Sequence, residues 1–383
     1  MSNGVYNISL GFNGRFGVGS IQDIGKTTQR AGIKKALIVC DPTMVSLGFT
    51  EKISEILSKD GLNSVVFDKC VENPRVGDIT EGAAVFNGQG CNGIIALGGG
   101  SPIDQAKAIR VVAKYGGTAL DFSMRGGRAG EIKADIPPMI AVPTTSGTGS
   151  EATRVAVITD PEKGVKFFLG SPFLMATNVI LDPELTASMP PKVTAATGMD
   201  ALVHALEAYV SPRANPIADS FGRTAFMLIG KSLKKAVDNG KDLNARSDMS
   251  MASLVAGIAF GIAGLGAVHS LAHPLGARYN IPHGLANSLM LPQVMKYNAK
   301  TSETRYIEAV KFMGKDVHSA EEAADAMTQF AADLGLPTQL SKVNIPKDGL
   351  VQLSKDALAD GTHFSNPVPC TEEALLEMYK ATF

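Results

Sequence analysis

The stretch that decides the fold is Gly93-Ile-Ile-Ala-Leu-Gly-Gly-Gly-Ser-Pro-Ile-Asp-Gln-Ala-Lys-Ala-Ile-Arg-Val-Val-Ala113. It opens with a short apolar run, continues with three glycines, and from Ile103 onward repeats apolar side chains at helical spacing. A buried strand, a tight turn and a helix in direct succession are the unit from which parallel α/β sheets are built. The stretch therefore predicts one βα unit.

The same alternation of strand-like runs and helical stretches continues through the first half of the chain. Strand-like runs occupy residues 36–40, 63–67 and 139–142, and helical periodicity covers 50–59 and 103–113. After Pro190-Pro191 such runs vanish, and stretches rich in Ala, Leu and Met predict helices over 218–236 and 319–334. Because 383 residues exceed one hydrophobic core, we expect two domains: 1–186, α/β with a parallel sheet, and 187–383, all-helical.

Bulk composition restricts the class of partner. With 36 basic and 37 acidic residues the formal net charge is −1, so no overall field attracts nucleic acid or an acidic membrane. The four cysteines are dispersed without a CxxC pair, which argues against a disulfide framework and a cysteine zinc site. The first residues lack a basic segment followed by an apolar one. We expect a cytoplasmic protein that acts on a small molecule.

One uncharged stretch, residues 249–277, is long enough to span a bilayer. It contains His269 and His273, which are costly in lipid, and several glycines of the kind that let helices approach closely. A buried central helix is the favoured interpretation.

Two glycine-rich loops follow predicted strands. In Gly98–Asp104, Ser101 is expected as N-cap and Pro102 at the first helical position, so the helix N-terminus can receive a phosphate. Pro143–Glu151 packs hydroxyls and glycines behind another strand. Either loop alone is also explained by a ligand-free turn. Together they favour a dinucleotide, because ligands of open α/β sheets bind beyond the carboxyl ends of the strands.

Asp41 directly follows the strand that ends at Cys40. A carboxylate there can accept hydrogen bonds from ribose hydroxyls and repels a 2′-phosphate, which favours NAD over NADP. A turn-forming Asp before Pro42 is the competing explanation.

Four of the six histidines fall within 80 residues, in the second half of the chain. Asp200 and His204 share one helix face at i, i+4 spacing, and His269 and His273 repeat that spacing. His283 is expected in a loop after Pro282. A single histidine is more often a core residue, but a cluster with a carboxylate indicates a metal. Spacing alone does not say whether His273 or His283 is the ligand.

Imidazole and carboxylate donors without thiolates suit Fe(II), Mn, Co or Zn. Four protein ligands with an open position fit five or six coordination, so the set favours iron over tetrahedral zinc.

Taken together, these motifs resemble the iron-containing (group III) alcohol dehydrogenase family over essentially the whole chain. The stretches that carry the resemblance are 98–104, 143–153, 195–209, 266–276 and 280–284. The resemblance implies a dehydroquinate synthase-like architecture, in which an N-terminal dinucleotide-binding domain and an all-α metal-binding domain flank the active site.

The resemblance also implies roles for individual residues. The metal, Fe2+ or alternatively Zn2+, is expected on Asp200, His204, His269 and His283, and His273 is expected beside substrate and nicotinamide as the catalytic residue. The NAD(H) site is expected to include Asp41, Asn73, Gly98, Gly99, Gly100, Ser101, Asp104, Thr144, Thr145, Thr148 and Lys166.

The expected function is that of an NAD-dependent, metal-dependent alcohol dehydrogenase or aldehyde reductase acting on a small primary alcohol. A homodimer or higher homo-oligomer is expected from the same resemblance, and the balanced charge argues against nucleic acid or a membrane as partner. The alternatives are a zinc polyol dehydrogenase of the glycerol type, a dehydroquinate-synthase-like lyase and a catalytically inactive relative. The first two generally lack the four-member Asp-His-His-His set, and an inactive relative would show a broken ligand or loop.

Overall fold

The computed structural model describes residues 11–124, 126–162 and 165–383. The chain forms two compact units. Of the described residues, 11–145 and 150–186 form the α/β unit, and 146–149 and 187–383 form the helical unit.

The α/β unit is built on a six-stranded parallel sheet in the order β1-β8-β5-β4-β2-β3. Its strands are β1 (Asn13–Phe16), β2 (Lys35–Val39), β3 (Asn63–Phe67), β4 (Gly93–Gly98), β5 (Met139–Pro143) and β8 (Asn178–Leu181), and a separate antiparallel hairpin contains β6 (Val155–Asp160) and β7 (Val165–Gly170). Its helices are α1 (Ile24–Arg30), α2 (Pro42–Ser46), α3 (Phe49–Lys59), α4 (Val76–Gly88), α5 (Gly100–Tyr115) and α6 (Pro183–Thr186).

The strand order places a topological switch point between β2 and β4. From β2 the chain moves outward to β3, and it then returns to the other side of β2 and continues outward through β4 and β5. Every residue of β4 and β5 is buried, which explains their unbroken apolar runs. The carboxyl edge of the sheet at this point is where α/β folds bind ligands.

The helical unit consists of eight helices among its described residues. They are α7 (Pro191–Val210), α8 (Pro216–Asp238), α9 (Leu243–Ala263), α10 (Ala267–Tyr279), α11 (His283–Phe312), α12 (Ala320–Asp333), α13 (Leu350–Asp360) and α14 (Glu372–Thr382). Most residues of α7 are buried, and it packs against α8, α9 and α11. This central position explains why α7 is buried around most of its circumference rather than on one face, and why even its polar residues Asp200, His204 and Glu207 are buried.

The uncharged stretch 249–277 is mostly buried, as expected, but it forms two helices rather than one. Helices α9 and α10 meet at 110° across the break at residues 264–266. Of the helices in the described part of the chain, none meets the length and hydropathy of a membrane span alone, and this bent pair does so only when both are counted together.

Residues 146–149 leave the α/β unit and pack within the helical unit. The contact depends on two glycines, because a Cβ on Gly257 of α9 would lie 2.7 Å from the carbonyl oxygen of Gly149. This close backbone contact explains why a loop between β5 and β6 groups with the helices.

Candidate metal centre

Three helices deliver four candidate metal ligands to one point of the helical unit. Asp200 and His204 lie one turn apart on α7, and His269 lies in the first turn of α10. His283 is not in a loop, as the sequence predicted, but is the first residue of α11. Pro282 is its N-cap, so the proline starts the helix rather than extending a loop.

Close packing of α11 on α7 sets the position of His283. Gly284 follows it, and a Cβ at this glycine would clash with the carbonyl oxygen of Ala196 and lie 3.2 Å from the Cβ of Asp200. A larger residue would therefore move His283 away from Asp200.

The carboxylate of Asp200 stands at the centre of the group. Its Oδ1 lies 3.7 Å from Nε2 of His204, 3.9 Å from Nε2 of His269 and 3.5 Å from Nε2 of His283. Ligand atoms about 2.1 Å from one shared ion are separated by roughly 3.0 to 3.5 Å at ordinary coordination angles. The four ligand atoms all lie within 4.8 Å of one another, so the donor set fits a single divalent ion.

The group is closed on one side and open on the other. The side chains of Asp200, His204 and His269 are at most 5% exposed, whereas that of His283 is 36% exposed. A bound ion would therefore have three buried donors and one partly exposed donor, His283.

Hydrogen-bond partners of Nδ1 in two of the imidazole rings determine that Nε2 is the nitrogen facing the other candidate ligands. Nδ1 of His204 lies 3.2 Å from the carbonyl oxygen of Gly147, and Nδ1 of His269 lies 2.6 Å from Oε2 of Glu207. With a proton on each Nδ1, both Nε2 atoms have a lone pair for a metal, and the tautomers are inferred from these partners.

Glu207 lies on α7 and is fully enclosed. Its Oε1 accepts hydrogen bonds from the backbone N–H groups of Val268 and His269, at 2.6 and 3.3 Å, so it also caps the first turn of α10. Burial raises the pKa of Glu207 to about 7 and lowers the pKa of His269 well below its ordinary value. A neutral His269 is the form that can bind a metal.

His273 lies beside the group without joining it. Its ring stacks on that of His283 at a centroid distance of 5.4 Å, and its Nδ1 lies 2.8 Å from Oδ2 of Asp360. Burial acts to raise the pKa of Asp360, but His273 and hydrogen bonds from Thr362 together hold it below its ordinary value. The ionised carboxylate orients the ring with the proton on Nδ1, which leaves Nε2 as the nitrogen able to exchange a proton.

Three residues of this region were missed by sequence reasoning. Glu207 lies in the stretch 195–209 but was given no role there. Asn287 lies one helical turn after His283, and its Nδ2 donates to Oδ1 of Asp200 at 2.7 Å. Asp360 is 87 residues from its partner His273. The i, i+4 spacing of His283 and Asn287 was a usable signal once α11 was known to begin at His283.

The α/β unit brings most of the predicted cofactor residues to the carboxyl edge of its sheet. The backbone N–H of Thr144 donates to the carbonyl oxygen of Gly98 at 3.0 Å, and the backbone N–H of Asn73 donates to Oγ of Ser101 at 3.3 Å. Asn73 has a positive φ of 59°, which asparagine tolerates better than most residues. The loops after β3, β4 and β5 are thus joined around the switch point.

The start of α5 differs from the prediction. Its N-cap is Gly99 and the helix begins at Gly100, so Ser101 and Pro102 lie inside the first turn. The glycine turn before α5 is therefore shorter than expected. The backbone N–H groups of the first helical turn, which have no partner within the helix, begin only two residues after Gly98.

Several cofactor candidates have structural partners of their own. Oδ1 of Asp41 accepts from the backbone N–H of Thr43 at 2.8 Å and caps α2, as the competing explanation for this residue described. Asp104 accepts from Oγ of Ser150 at 2.5 Å and from the backbone N–H of Val157 at 3.0 Å. Asp41 and Asp104 therefore stabilise the fold, whether or not they also contact a cofactor.

Two candidates lie elsewhere. Thr148 is in the loop that packs within the helical unit, and Lys166 lies on β7, paired with Thr159 across the hairpin. Their part in a cofactor site stays a prediction of the family resemblance.

Comparison with protein families matches both halves of the chain. Residues 13–183 match the model described as iron-containing alcohol dehydrogenase, and residues 194–383 match the C-terminal model of the Fe-containing alcohol dehydrogenase family.

Individual relatives agree over nearly the full length. A choline dehydrogenase of Bacillus subtilis is 38% identical over 375 residues, which cover 96% of this chain and 93% of the relative. An NAD-dependent methanol dehydrogenase of Bacillus methanolicus is 36% identical over 370 residues, covering 95% and 96%. A crystal structure of 1,3-propanediol oxidoreductase superimposes with a TM-score of 0.95 at 36% identity, covering 99% of this chain and all of that one.

Proposed function

The chain belongs to the iron-containing alcohol dehydrogenase family, and from this premise we propose that it is an NAD-dependent, Fe2+-dependent enzyme that interconverts a small primary alcohol and its aldehyde. The reaction is R–CH2OH + NAD+ ⇌ R–CHO + NADH + H+. The observation that carries the proposal is the convergence of Asp200, His204, His269 and His283 within 4.8 Å. Choline, methanol and 1,3-propanediol, named in the relatives, all carry a primary hydroxyl.

Asp200, His204, His269 and His283 are proposed to hold the ion. When bound, the ion supplies Lewis acidity that makes the substrate hydroxyl easier to deprotonate, and nicotinamide accepts the hydride. Asp200 contributes the only negative charge among the four ligands, and the three neutral imidazoles complete the set without thiolates. This donor chemistry suits Fe(II).

His273 is proposed to handle the proton. Asp360 holds its Nδ1, so Nε2 can accept the proton that leaves the hydroxyl and pass it to solvent. In the direction of aldehyde reduction the same nitrogen returns the proton.

The α/β unit is proposed to bind NAD(H) at the carboxyl edge of the sheet. The first turn of α5 offers N–H groups and a partial positive charge to the pyrophosphate, and Gly98, Gly99 and Gly100 leave its backbone accessible. Asp41, Asn73, Ser101, Asp104, Thr144, Thr145, Thr148 and Lys166 complete the proposed set. Residues 1–186 and 187–383 are the proposed NAD-binding and metal-binding domains.

The alternatives of a zinc polyol dehydrogenase and an inactive relative are not favoured, because all four ligands are brought together and both glycine loops are intact. We further propose a cytoplasmic homo-oligomer. Cys40, Cys70 and Cys91 are buried thiols, which suits a reducing compartment. Among the described residues, β1 is an exposed edge strand, the kind of element that pairs with a second chain.

Metal removal tests the proposal. The purified protein is stripped with a chelator under anaerobic conditions and reloaded with Fe(II) or Zn(II), and bound metal and aldehyde-dependent NADH oxidation are measured together. We expect the stripped protein to be inactive and Fe(II) to restore more turnover than Zn(II), although zinc can bind as tightly. Full activity in metal-free protein would refute the proposal.

A further inference from the structure

Lys107 is a buried cation that none of the roles above uses. It lies two turns into α5, and its side chain is fully enclosed. Burial lowers the pKa of its ammonium group, against the opposing effect of the nearby Asp104 carboxylate. A buried charge destabilises a protein unless polar groups compensate for it. The oxygen atoms around this ammonium group therefore indicate what the side chain holds in place.

The ammonium group of Lys107 donates mainly to one short segment of the chain. Apart from Oδ1 of Asp104, at 3.2 Å, its acceptors among the described residues all lie within 150–155. They are the carbonyl oxygen and Oγ of Ser150, Oγ1 of Thr153 and the carbonyl oxygen of Val155, at 2.8, 2.9, 3.0 and 2.7 Å. Lys107 thus binds the segment at the end of the second glycine-rich loop, residues 143–151.

Asp104 takes part in the same set of contacts. Its Oδ1 accepts from Oγ of Ser150 at 2.5 Å, and its Oδ2 accepts from the backbone N–H of Val157 at 3.0 Å. The two opposite charges lie 3.2 Å apart on α5, and both hold the chain between the loop 143–151 and β6. The same helix carries the first turn that is proposed to receive the pyrophosphate.

Both ends of the loop 143–151 are thereby fixed to the glycine turn before α5, residues 98–100. At the start of the loop, the backbone N–H of Thr144 donates to the carbonyl oxygen of Gly98 at 3.0 Å. At its end, Lys107 holds Ser150, and all these residues belong to the α/β unit. One dinucleotide binds tightly to two loops only if their spacing is set beforehand, because ordering a loop on binding costs affinity.

Building on the proposed NAD(H) site, we propose that Lys107 is a positioning residue that sets the spacing between the glycine turn before α5 and the loop 143–151. The ammonium group is enclosed and acts on the cofactor only through this loop. Without it, the carbonyl oxygens of Ser150 and Val155 lose a charged donor, and the end of the loop is held by the weaker contacts of Asp104 and Thr153 alone.

Arg110 provides a matched control on the same helix. It is also buried, and its guanidinium donates to the carbonyl oxygens of Pro137, Phe173 and Met175 at 3.4, 2.9 and 2.9 Å. These carbonyls precede β5 and β8, so Arg110 ties α5 to the amino edge of the sheet, opposite the edge proposed for the cofactor. Its loss should lower stability without changing the spacing of the two loops.

Lys107→Met and Arg110→Met each keep an unbranched apolar stem and remove the cation. NADH binding to the metal-loaded proteins is measured through nicotinamide fluorescence, AMP binding through calorimetry, and stability through thermal unfolding. We expect Lys107→Met to bind NADH about 10-fold or more weakly, because the cofactor must then order the loop itself. Its affinity for AMP should stay near that of the parent, since AMP presents only the adenosine and one phosphate that Asp41 and the first turn of α5 are proposed to hold.

Arg110→Met should bind both NADH and AMP as the parent does, although its unfolding temperature falls as well. Weakening of NADH binding in Arg110→Met to the same degree as in Lys107→Met would overturn the inference, because general destabilisation would explain both. Equal weakening of NADH and AMP in Lys107→Met would also overturn it, because the damage would then lie in α5 itself.

Parent-like NADH affinity in Lys107→Met would overturn the inference and leave the proposed function intact, whereas failure of the parent to bind NADH would overturn both. Should Lys107→Met fail to fold, Thr153→Val provides a milder test, because it removes one acceptor of Lys107 with little change in side-chain size. We expect it to weaken NADH binding by about fivefold and to leave AMP binding unchanged. Parent-like NADH affinity in Thr153→Val would then decide against Lys107.

Discussion

The proposed metal-binding set of the helical unit and the loops at the carboxyl edge of the parallel sheet differ in which chemical groups are proposed to contact the ligand. In the helical unit, side chains on three rigid helices point to one place, and their chemistry identifies the ligand. At the sheet edge, backbone groups and small side chains are proposed to form the cofactor site, and the nearby carboxylates make hydrogen bonds within the α/β unit. Asp41 caps α2, and Asp104 joins α5 to Ser150 and β6.

This difference determines how a substitution can be interpreted. We expect replacement of a proposed ligand such as His283, which is 36% exposed, to have little effect on the fold, so a loss of function would indicate a loss of metal binding. Replacement of Asp104 removes hydrogen bonds inside the α/β unit, and a lost function then follows from a damaged fold as readily as from a lost ligand contact. A substitution at the sheet edge must therefore keep the hydrogen bonds inside the α/β unit while it removes the proposed contact with the cofactor.

His283→Ala and His273→Ala should give the largest and most informative contrast. His283→Ala removes a proposed direct donor to the ion and should release much of the bound metal and nearly all activity. His273→Ala should retain metal, because Nδ1 of His273 is bonded to Asp360 and its ring stacks beside the set. Its turnover should still fall by about 10²–10⁴ if Nε2 handles the proton.

Metal content and turnover are measured on the same preparations. Metal lost from His273→Ala but kept by His283→Ala would reverse the two assignments. A loss of turnover well below 10²-fold in His273→Ala, with metal retained, would reduce this histidine to a packing or substrate-positioning role.

Glu207→Gln separates two functions of Glu207 in the helical unit, namely capping of α10 and orientation of the His269 ring. Glutamine keeps an Oε1 that can accept the backbone N–H groups of Val268 and His269, so the cap of α10 survives. Its amide nitrogen cannot accept the Nδ1 proton of His269, and the tautomer with Nε2 free loses its partner. We expect metal affinity to fall by about 10–100-fold, measured by chelator competition, with little change in thermal unfolding.

Glu207→Ala is the control for the cap, since it should weaken metal binding and also lower the unfolding temperature. Parent-like affinity in Glu207→Gln would show that the carboxylate serves α10 alone and does not orient the ring of His269.

The sequence predicted the fold class because strand and helix patterns are local signals. Local spacing also indicated the cluster of Asp and His residues, but the choice of His283 over His273 as ligand came from the family resemblance. Four of the parallel strands were predicted from their apolar runs. Strand β1, with the sequence Asn-Gly-Arg-Phe, is exposed along its length and has no such pattern. The partners of the imidazoles escaped detection for a different reason. Asp360 meets His273 only through the packing of α13 on α10, and no periodicity encodes a contact between helices that distant in sequence.

Errors at helix starts had a local cause. A proline ends many helices but also favours the first positions of one, so Pro282 before His283 fits either a loop or a helix start. Contact of Gly284 with α7 decides between them, and that contact is tertiary. Likewise Ser101 fits an N-cap by residue type, but the helix begins earlier, at Gly100.

Substitutions of Asp41 can separate its role as a helix cap from its proposed role in cofactor choice. Of the predictions made here, this one has the smallest expected effect. Its carboxylate caps α2 through the N–H of Thr43, and in the proposed function it also repels the 2′-phosphate of NADP. Asparagine is as good an N-cap as aspartate, so Asp41→Asn keeps the fold and removes only the charge. A charge pair a few ångströms apart near the surface is worth on the order of 1 to 2 kcal/mol, so the preference for NAD over NADP should narrow by about tenfold in kcat/KM.

Asp41→Ala removes both the charge and the cap, and it should narrow the preference equally while lowering stability by about 1 kcal/mol in denaturant unfolding. The two variants together assign each effect to its cause, since the cofactor ratio follows the charge and the unfolding midpoint follows the cap. If Asp41→Asn instead leaves the cofactor ratio unchanged, the carboxylate is a helix cap and nothing more, and the discrimination between NAD and NADP must come from other groups at the switch point. That result would make the sheet edge a site of backbone recognition alone, and so widen its difference from the metal-binding set.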